Sequence, residues 1–154
     1  MSCVNRKIRI AIFEDESMVR NMLEMLLFQY ASRKGIEYEI LLYEDPTACP
    51  FKGAEKCLCS ENEICTDIII TDINMPHVSG IELIKGQIEK GCKVRNILVI
   101  SGYTDQKIIE WVLGAGCKYL HKPFQMSELY DTIDKFEENI DFGMVPKDLS
   151  DYLD

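Results

Sequence analysis

Asp67-Ile68-Ile69-Ile70-Thr71-Asp72-Ile73-Asn74-Met75-Pro76 decides how this 154-residue chain is read. An apolar run too short for a buried helix ends on a carboxylate and passes directly into a proline loop, the pattern of a buried strand leaving its sheet. Three other apolar runs end the same way: the one beginning at Ile8 in Glu14-Asp15, the one beginning at Asn96 in Ser101, and the short one from Lys118 to Leu120 just before Lys122-Pro123. As parallel strands of one sheet, all four deliver their polar groups to the same edge, where open α/β sheets place their ligand sites.

The segments between the runs carry helical spacing. From Ser17 to Lys34, Met18, Met22, Met25, Leu26 and Phe28 recur at helical intervals before Gly35 stops the helix. Ile36 to Tyr43 reads as a further strand, closed by Pro46. Helices are expected from about Ile81 to Lys90 and from Asp105 to Leu113, and a last one near Ser127, read as its N-cap. Strict alternation of strand and helix predicts an α/β fold, a doubly wound five-stranded parallel sheet with helices on both faces. A chain of this length holds one such domain, here residues 1–140, with 141–154 as an acidic tail.

A net charge of −9 argues against direct nucleic-acid binding, which rests on Lys and Arg neutralising phosphates. No run approaches the length of a membrane span. Glu14, Asp15 and Glu16 end the first apolar stretch before a signal-peptide core could form. Seven cysteines without a secretory signal read as reduced thiols of a cytoplasmic protein.

Chemistry follows from the strand ends. Two carboxylates about 4 Å apart repel by roughly 4 kcal/mol at an effective dielectric near 20. Glu14, Asp15 and Asp72 would therefore take up a proton or a cation, and an all-oxygen set with open positions suits Mg²⁺. Lys122 adds a point charge from the far side. A lysine and a divalent ion around one aspartate suit a carboxylate that gains a phosphoryl group, so Asp72 is the candidate nucleophile and Ser101 a hydroxyl donor to the phosphoryl oxygens. Taken singly, each residue has a plainer role: Asp15 as a helix-dipole partner, Asp72 and Ser101 in turns, Lys122-Pro123 as a strand exit. Their convergence argues for the chemistry. His77 and His121 read as solvated, and Trp111 as core or a partner-facing anchor.

Glu14-Asp15, then Asp72-Ile73-Asn74-Met75-Pro76 with Gly80 eight residues after the aspartate, then Ser101, then Tyr119 three residues before Lys122-Pro123-Phe124, resemble in order and spacing the receiver domain of two-component response regulators. The resemblance spans about residues 7 to 138. It implies a flavodoxin-like fold, like that of the single-domain chemotaxis regulators, in which Asp72 accepts a phosphoryl group from a histidine kinase or phosphotransfer protein. It further implies Mg²⁺ held by Glu14, Asp15, Asp72 and the backbone carbonyl of Asn74, with Lys122 pairing with the phosphoryl group. Ser101 and Tyr119 would be the switch pair that alters the face of the fourth helix, fifth strand and fifth helix, where a downstream protein target docks and homodimers form in some members. Beyond self-phosphotransfer and autodephosphorylation, no enzyme activity is implied.

Against that pattern the chain carries about a dozen extra residues, in an insert at roughly 46–66 that contains Cys49, Cys57, Cys59 and Cys65. Four thiolates could hold Zn²⁺ or an iron-sulfur cluster, though no C-x2-C pair occurs among them; a disulfide and free thiols are the other readings. Two alternative functions follow. One is a small Mg²⁺-dependent phosphatase or phosphotransferase with an Asp nucleophile, although haloacid-dehalogenase-like enzymes carry a second acid where this chain has Asn74. The other is a receiver-like scaffold that senses metal or redox state through the four cysteines.

Overall fold

A computed structural model describes residues 6–44, 60–75, 78–102 and 105–148. Its elements are β1 (Ile8–Phe13), α1 (Ser17–Lys34), β2 (Tyr38–Tyr43), β3 (Glu63–Ile64), β4 (Ile68–Thr71), α2 (Gly80–Glu89), β5 (Asn96–Ser101), α3 (Gln106–Gly114), β6 (Lys118–His121), α4 (Met126–Glu138) and β7 (Val145–Pro146). Five strands form one parallel sheet in the order β2-β1-β4-β5-β6. Four helices flank it among the described residues; the place expected for a helix after β2 lies outside them.

Side-chain alternation along β1 explains the two layers. Ile8, Ile10 and Ile12 join Ile68, Ile70, Leu98 and Ile100 under Leu23, Leu27 and Ala31 of α1 and Leu129, Ile133 and Phe136 of α4. Ala11 and Phe13 join Ile69, Ile97 and Val99 on the other face, under Leu83 and Ile84 of α2 and Val112 of α3. β1, β4 and β5 are buried along their whole length, which is why their sequences are apolar runs rather than alternating ones.

Two local readings change. The core-facing stripe of α1 is Leu23, Leu27 and Ala31, whereas Met18 is 84% exposed and Met22, Met25 and Phe28 are also at the surface. The helix carries two apolar stripes, and periodicity alone does not say which one turns inward. Ser127 lies inside α4, one residue past its start: Gln125 is the N-cap, and its N–H donates to the Glu128 carboxylate at 2.9 Å. Gly35 ends α1 with φ 70°, and the N–H of Ile36 returns to the Ala31 carbonyl at 3.0 Å, the left-handed closure that favours glycine.

Beyond α4 the chain does not simply trail off. β7 pairs in parallel with β3 at the end of the insert, through Val145 N–H to Asn62 O at 2.9 Å and Lys147 N–H to Ile64 O at 2.8 Å. Arg9, 6% exposed, fastens this clasp to the sheet by donating to the carbonyls of Cys65 at 3.0 Å and Lys147 at 2.7 Å. Beside it Asp67, 4% exposed, takes both guanidinium nitrogens of Arg6 at 2.8 and 3.0 Å and the N–H of Arg9 at 2.9 Å. No described helix is long and apolar enough to cross a membrane.

Removing one partner of a buried ion pair leaves the other charge uncompensated, at a cost of about 3–5 kcal/mol. Asp67→Ala is therefore expected to lower the unfolding free energy by about that amount in urea titrations. A loss below about 1 kcal/mol would place the Arg6–Asp67 pair among weak surface bridges instead.

Candidate functional site

The chain runs from β1 outward to β2, then crosses back to β4 on the other side of β1. The connections leaving β1 and β4 therefore diverge, and a crevice opens at the carboxyl ends of these two neighbours. Backbone pairing brings their polar ends together. Phe13 is registered with Thr71, and the N–H of Asp72 donates to the Phe13 carbonyl at 3.0 Å, so Glu14 and Asp72 emerge side by side. On the far flank Ser101 is registered with His121, and the N–H of Lys122 donates to the Ser101 carbonyl at 3.0 Å.

Carboxylate oxygens of Glu14, Asp15 and Asp72 all lie within 4.8 Å of one another. Glu14 is 1% and Asp72 7% exposed, while Asp15 is at the surface. The Lys122 ammonium donates to Glu14 Oε2 at 2.8 Å and to Asp72 Oδ2 at 2.9 Å. Asp72 Oδ1 accepts from the backbone N–H of Ile73 at 2.6 Å, which leaves Oδ2 facing the lysine. Together with Glu16, Asn74, Ser101 and Gly102, three of these residues (Asp15, Asp72 and Lys122) line a cavity of about 430 Å³ that opens to solvent. Asp15 is no helix cap: Glu16 holds the N-cap position, and its N–H donates to Glu14 Oε1 at 3.2 Å.

Electrostatics follows from this packing. Burial pushes the Glu14 carboxyl up, the Lys122 hydrogen bond pulls it back and the Asp72 charge pushes it up again, leaving it above the usual carboxylate value. Burial alone would lower the Lys122 ammonium, but the hydrogen bonds to Glu14 and Asp72 outweigh it, so the lysine stays charged. The donor set is all oxygen, partly open and over-acidic, which fits a hard divalent cation such as Mg²⁺.

Ser101 is 1% exposed at the back of the crevice. Tyr119 is half-buried, and its hydroxyl donates to the Ser101 carbonyl at 3.1 Å, with His121 Nδ1 at 3.4 Å. Burial and then the Asp72 charge raise the phenol. His121 is exposed, as its lack of a partner pattern suggested, although it stands within reach of Tyr119. Trp111 is half-buried at the core edge, where it lines a second cavity with Asn74 and Lys85. Pro76, His77, Cys49, Cys57 and Cys59 lie outside the described residues; Cys65 is 1% exposed in the core.

Three supports of the site were not foreseen. Arg20 donates to the Glu14 carbonyl at 2.7 Å, fixing the β1 exit. The Thr71 hydroxyl donates to the Asp72 carbonyl at 2.8 Å. Gly80, noted for its spacing alone, packs on that same carbonyl: its N–H donates to Ile73 O at 2.9 Å, and a Cβ there would overlap Asp72 O. The eight-residue interval thus closes the loop back onto the backbone of the central aspartate.

The profile of the response regulator receiver domain family matches residues 10–134, so this chain belongs to that family. Among curated relatives, the chemotaxis protein CheY of Thermotoga maritima is 28% identical over 128 residues, covering 82% of this chain and 95% of that protein. The transcriptional regulatory protein FlgR of Helicobacter pylori is 29% identical over 134 residues, covering 87% of this chain and 31% of FlgR. The chain thus spans only about a third of FlgR, and 57% of the likewise similar FixJ of Rhizobium meliloti. In fold, it matches the chemotaxis protein CheY4 of Vibrio cholerae with a TM-score of 0.64 at 21% identity, over 85% of this chain and 99% of that one. A signal receiver domain from Pseudomonas fluorescens Pf-5 gives 0.67 at 19% identity, over 87% and 97%. Receiver domains are the phospho-accepting signalling modules of two-component systems, and the comparisons give the phosphatase and the metal or redox sensor no support.

Two outcomes test the geometry. Gly80→Ala is expected to cost about 1–3 kcal/mol by forcing the β4–α2 loop off Asp72, and to weaken Mg²⁺ binding in the same variant. With Glu14 as one of the ion's ligands, and its carboxyl protonating above the ordinary value of 4.5, Mg²⁺ affinity is expected to fall on acidification before that pH is reached. Without metal the sign reverses: a raised carboxyl favours proton uptake in the fold, so the Glu14 contribution to stability grows as pH falls through its folded pKa. Calorimetric Mg²⁺ titrations across this range check the first effect; an affinity flat down to pH 4.5 contradicts it.

Proposed function

We propose that this chain is a phospho-accepting receiver in which Asp72 is the acceptor. The observation that carries the reading is the Lys122 ammonium bonded to Asp72 at 2.9 Å and Glu14 at 2.8 Å, with the Asp15 carboxylate converging on the same point. Glu14, Asp15 and Asp72, with the Asn74 backbone carbonyl, would hold Mg²⁺, which would supply charge neutralisation and orientation for an incoming phosphoryl group. Asp72 Oδ2 attacks phosphorus, the P–N bond to a donor histidine breaks, and the imidazole leaves with the bond pair. Asp72 Oδ1 stays held by the Ile73 N–H throughout.

Phosphorylation brings the local charge at Asp72 to about −1.5 to −2. Lys122 then exchanges its bond to Asp72 for one to a phosphoryl oxygen, and the Ser101 hydroxyl donates to another. Tyr119 senses that shift, because its hydroxyl is already bonded to the carbonyl of Ser101. The affected face comprises α3, β6 and α4, where a downstream protein docks and where a homodimer would form. Full inversion of a 1:99 population needs about 5.5 kcal/mol of differential interaction, within reach of two charge-assisted hydrogen bonds and a metal contact. The donor is a histidine kinase or phosphotransfer protein, and the setting is the cytoplasm. The chain carries out self-phosphotransfer and autodephosphorylation and no other catalysis.

Incubation with acetyl phosphate and Mg²⁺ is expected to add one phosphoryl group by intact mass. The gain disappears in Asp72→Asn or when Mg²⁺ is chelated. Ser101→Ala is expected to label but to lose the change in fluorescence of the single tryptophan, Trp111, expected when the unmodified protein is labelled. Absence of labelling in the unmodified protein under every donor tried would refute the assignment.

A further inference from the structure

Beside the acidic crevice a groove of about 490 Å³ opens between α2 and α3. Its floor is apolar: Ile73 after β4, Ile81 of α2, and Ile108 and Trp111 of α3. Trp111 is half-buried, packing on the core and lining the groove as well. An exposed lysine stands on each wall, Lys85 on α2 and Lys107 on α3.

The phosphoryl chemistry uses neither lysine. The Lys85 ammonium lies over the Trp111 ring, 5.4 Å from its centre. A ring face attracts an ammonium without satisfying its three N–H donors. Among the described residues neither ammonium is paired with a carboxylate. Glu82, one turn before Lys85, is engaged elsewhere: its carboxylate accepts the Ser79 N–H at 3.4 Å in the capping box of α2. Glu110, one turn after Lys107, is exposed to solvent.

Charge selects the occupant. In a chain of net charge −9, with Asp15, Glu16 and Asp72 lining the adjoining crevice, a phosphate polymer or an anionic membrane meets repulsion over a broad surface. A short segment brings only a few carboxylates, to the two cations, and an apolar side chain to the floor. We propose that the α2–α3 groove docks an acidic peptide segment of a partner protein, its apolar side chain on Trp111, Ile81 and Ile108 and its carboxylates on Lys85 and Lys107.

Asn74 ties this groove to the crevice. It lines both cavities, and its N–H donates to Asp72 Oδ1 at 3.4 Å. A divalent ion in the crevice would cancel negative charge beside the groove and so tighten the peptide, and the peptide would tighten the ion by the same factor. That coupling rests on the reading of the crevice as a Mg²⁺ site; the groove itself does not.

The probe is a capped hexapeptide of two leucines flanked on each side by an Asp-Glu pair, followed by the fluorescence of Trp111 and by calorimetry. Saturable binding at roughly tens of micromolar is expected, weakening as salt is raised. Lys85→Gln and Lys107→Gln should each weaken it about two- to fivefold, and the two together about tenfold. Lys118→Gln, an exposed lysine of β6 that does not line the groove, should leave it unchanged. Both groove variants should still be labelled by acetyl phosphate, so a failure of docking and a failure of the Asp72 assignment are read separately. No binding up to about 1 mM peptide, equal binding of a hexapeptide with lysines in place of the acids, undiminished binding in the double variant, or a signal that sedimentation traces to pairing of two copies would each overturn the docking site. Where calorimetry shows Mg²⁺ bound, a peptide affinity that Mg²⁺ leaves unaltered would overturn the coupling.

Discussion

A single ammonium stands between two buried carboxylates, and the geometry of the sheet leaves it no other place. The registry of β1 with β4 forces Glu14 beside Asp72, and that of β5 with β6 carries Lys122 across to both. With Asp15 the crevice holds three negative charges and one positive, a deficit that one divalent cation would close. Loss of the lysine would leave Glu14 and Asp72 repelling by roughly 4 kcal/mol at about 4 Å in an effective dielectric near 20. The two carboxyl ends are therefore neutralised on one side by a residue that is part of the fold, and the charge left over is what an exchangeable divalent ion would balance on the other.

Much of this was legible in the chain because Glu14, Asp72 and Ser101 stand at the ends of strands buried along their whole length, whereas Lys122 follows the partly exposed β6 and was marked by its proline. β1 and β4 run apolar through Ile12-Phe13 and Ile69-Ile70 almost to the crevice, and Thr71 and Ser101, buried at the ends of β4 and β5, are the first polar groups there, so the change from apolar to polar marks the sheet edge. Other features leave weaker traces. β3 and β7 are two residues long and exist by pairing with each other, so neither has a periodicity of its own. The inward stripe of α1 competes with a second apolar stripe of methionines. Gly80 could be counted, but the reason for its place, the carbonyl of Asp72 against its α-carbon, is a distance that spacing does not reveal.

The two edges of the sheet divide the work. The carboxyl edge is acidic and partly open, held by one lysine. The amino edge is closed largely by charge: Arg6 pairs with Asp67, which also accepts the backbone N–H of Arg9, the Arg9 guanidinium reaches Glu39 at 2.9 Å, and Arg95 and Lys93 fix the adjoining loop. Between them the sheet is apolar on both faces, so a change of charge at one edge meets a rigid layer before it reaches the other.

The clasp also dictates when the molecule can be finished. Residue 63 must wait for residue 145, more than half the chain later, and closing so long a loop is entropically costly and slow. During synthesis the sheet can assemble once β6 and α4 have emerged, but Arg9 still lacks the carbonyl of Lys147. The nascent protein thus passes through a stage with its acidic crevice complete and its opposite edge unsealed, until the Lys147 carbonyl reaches the Arg9 guanidinium of the interior strand β1.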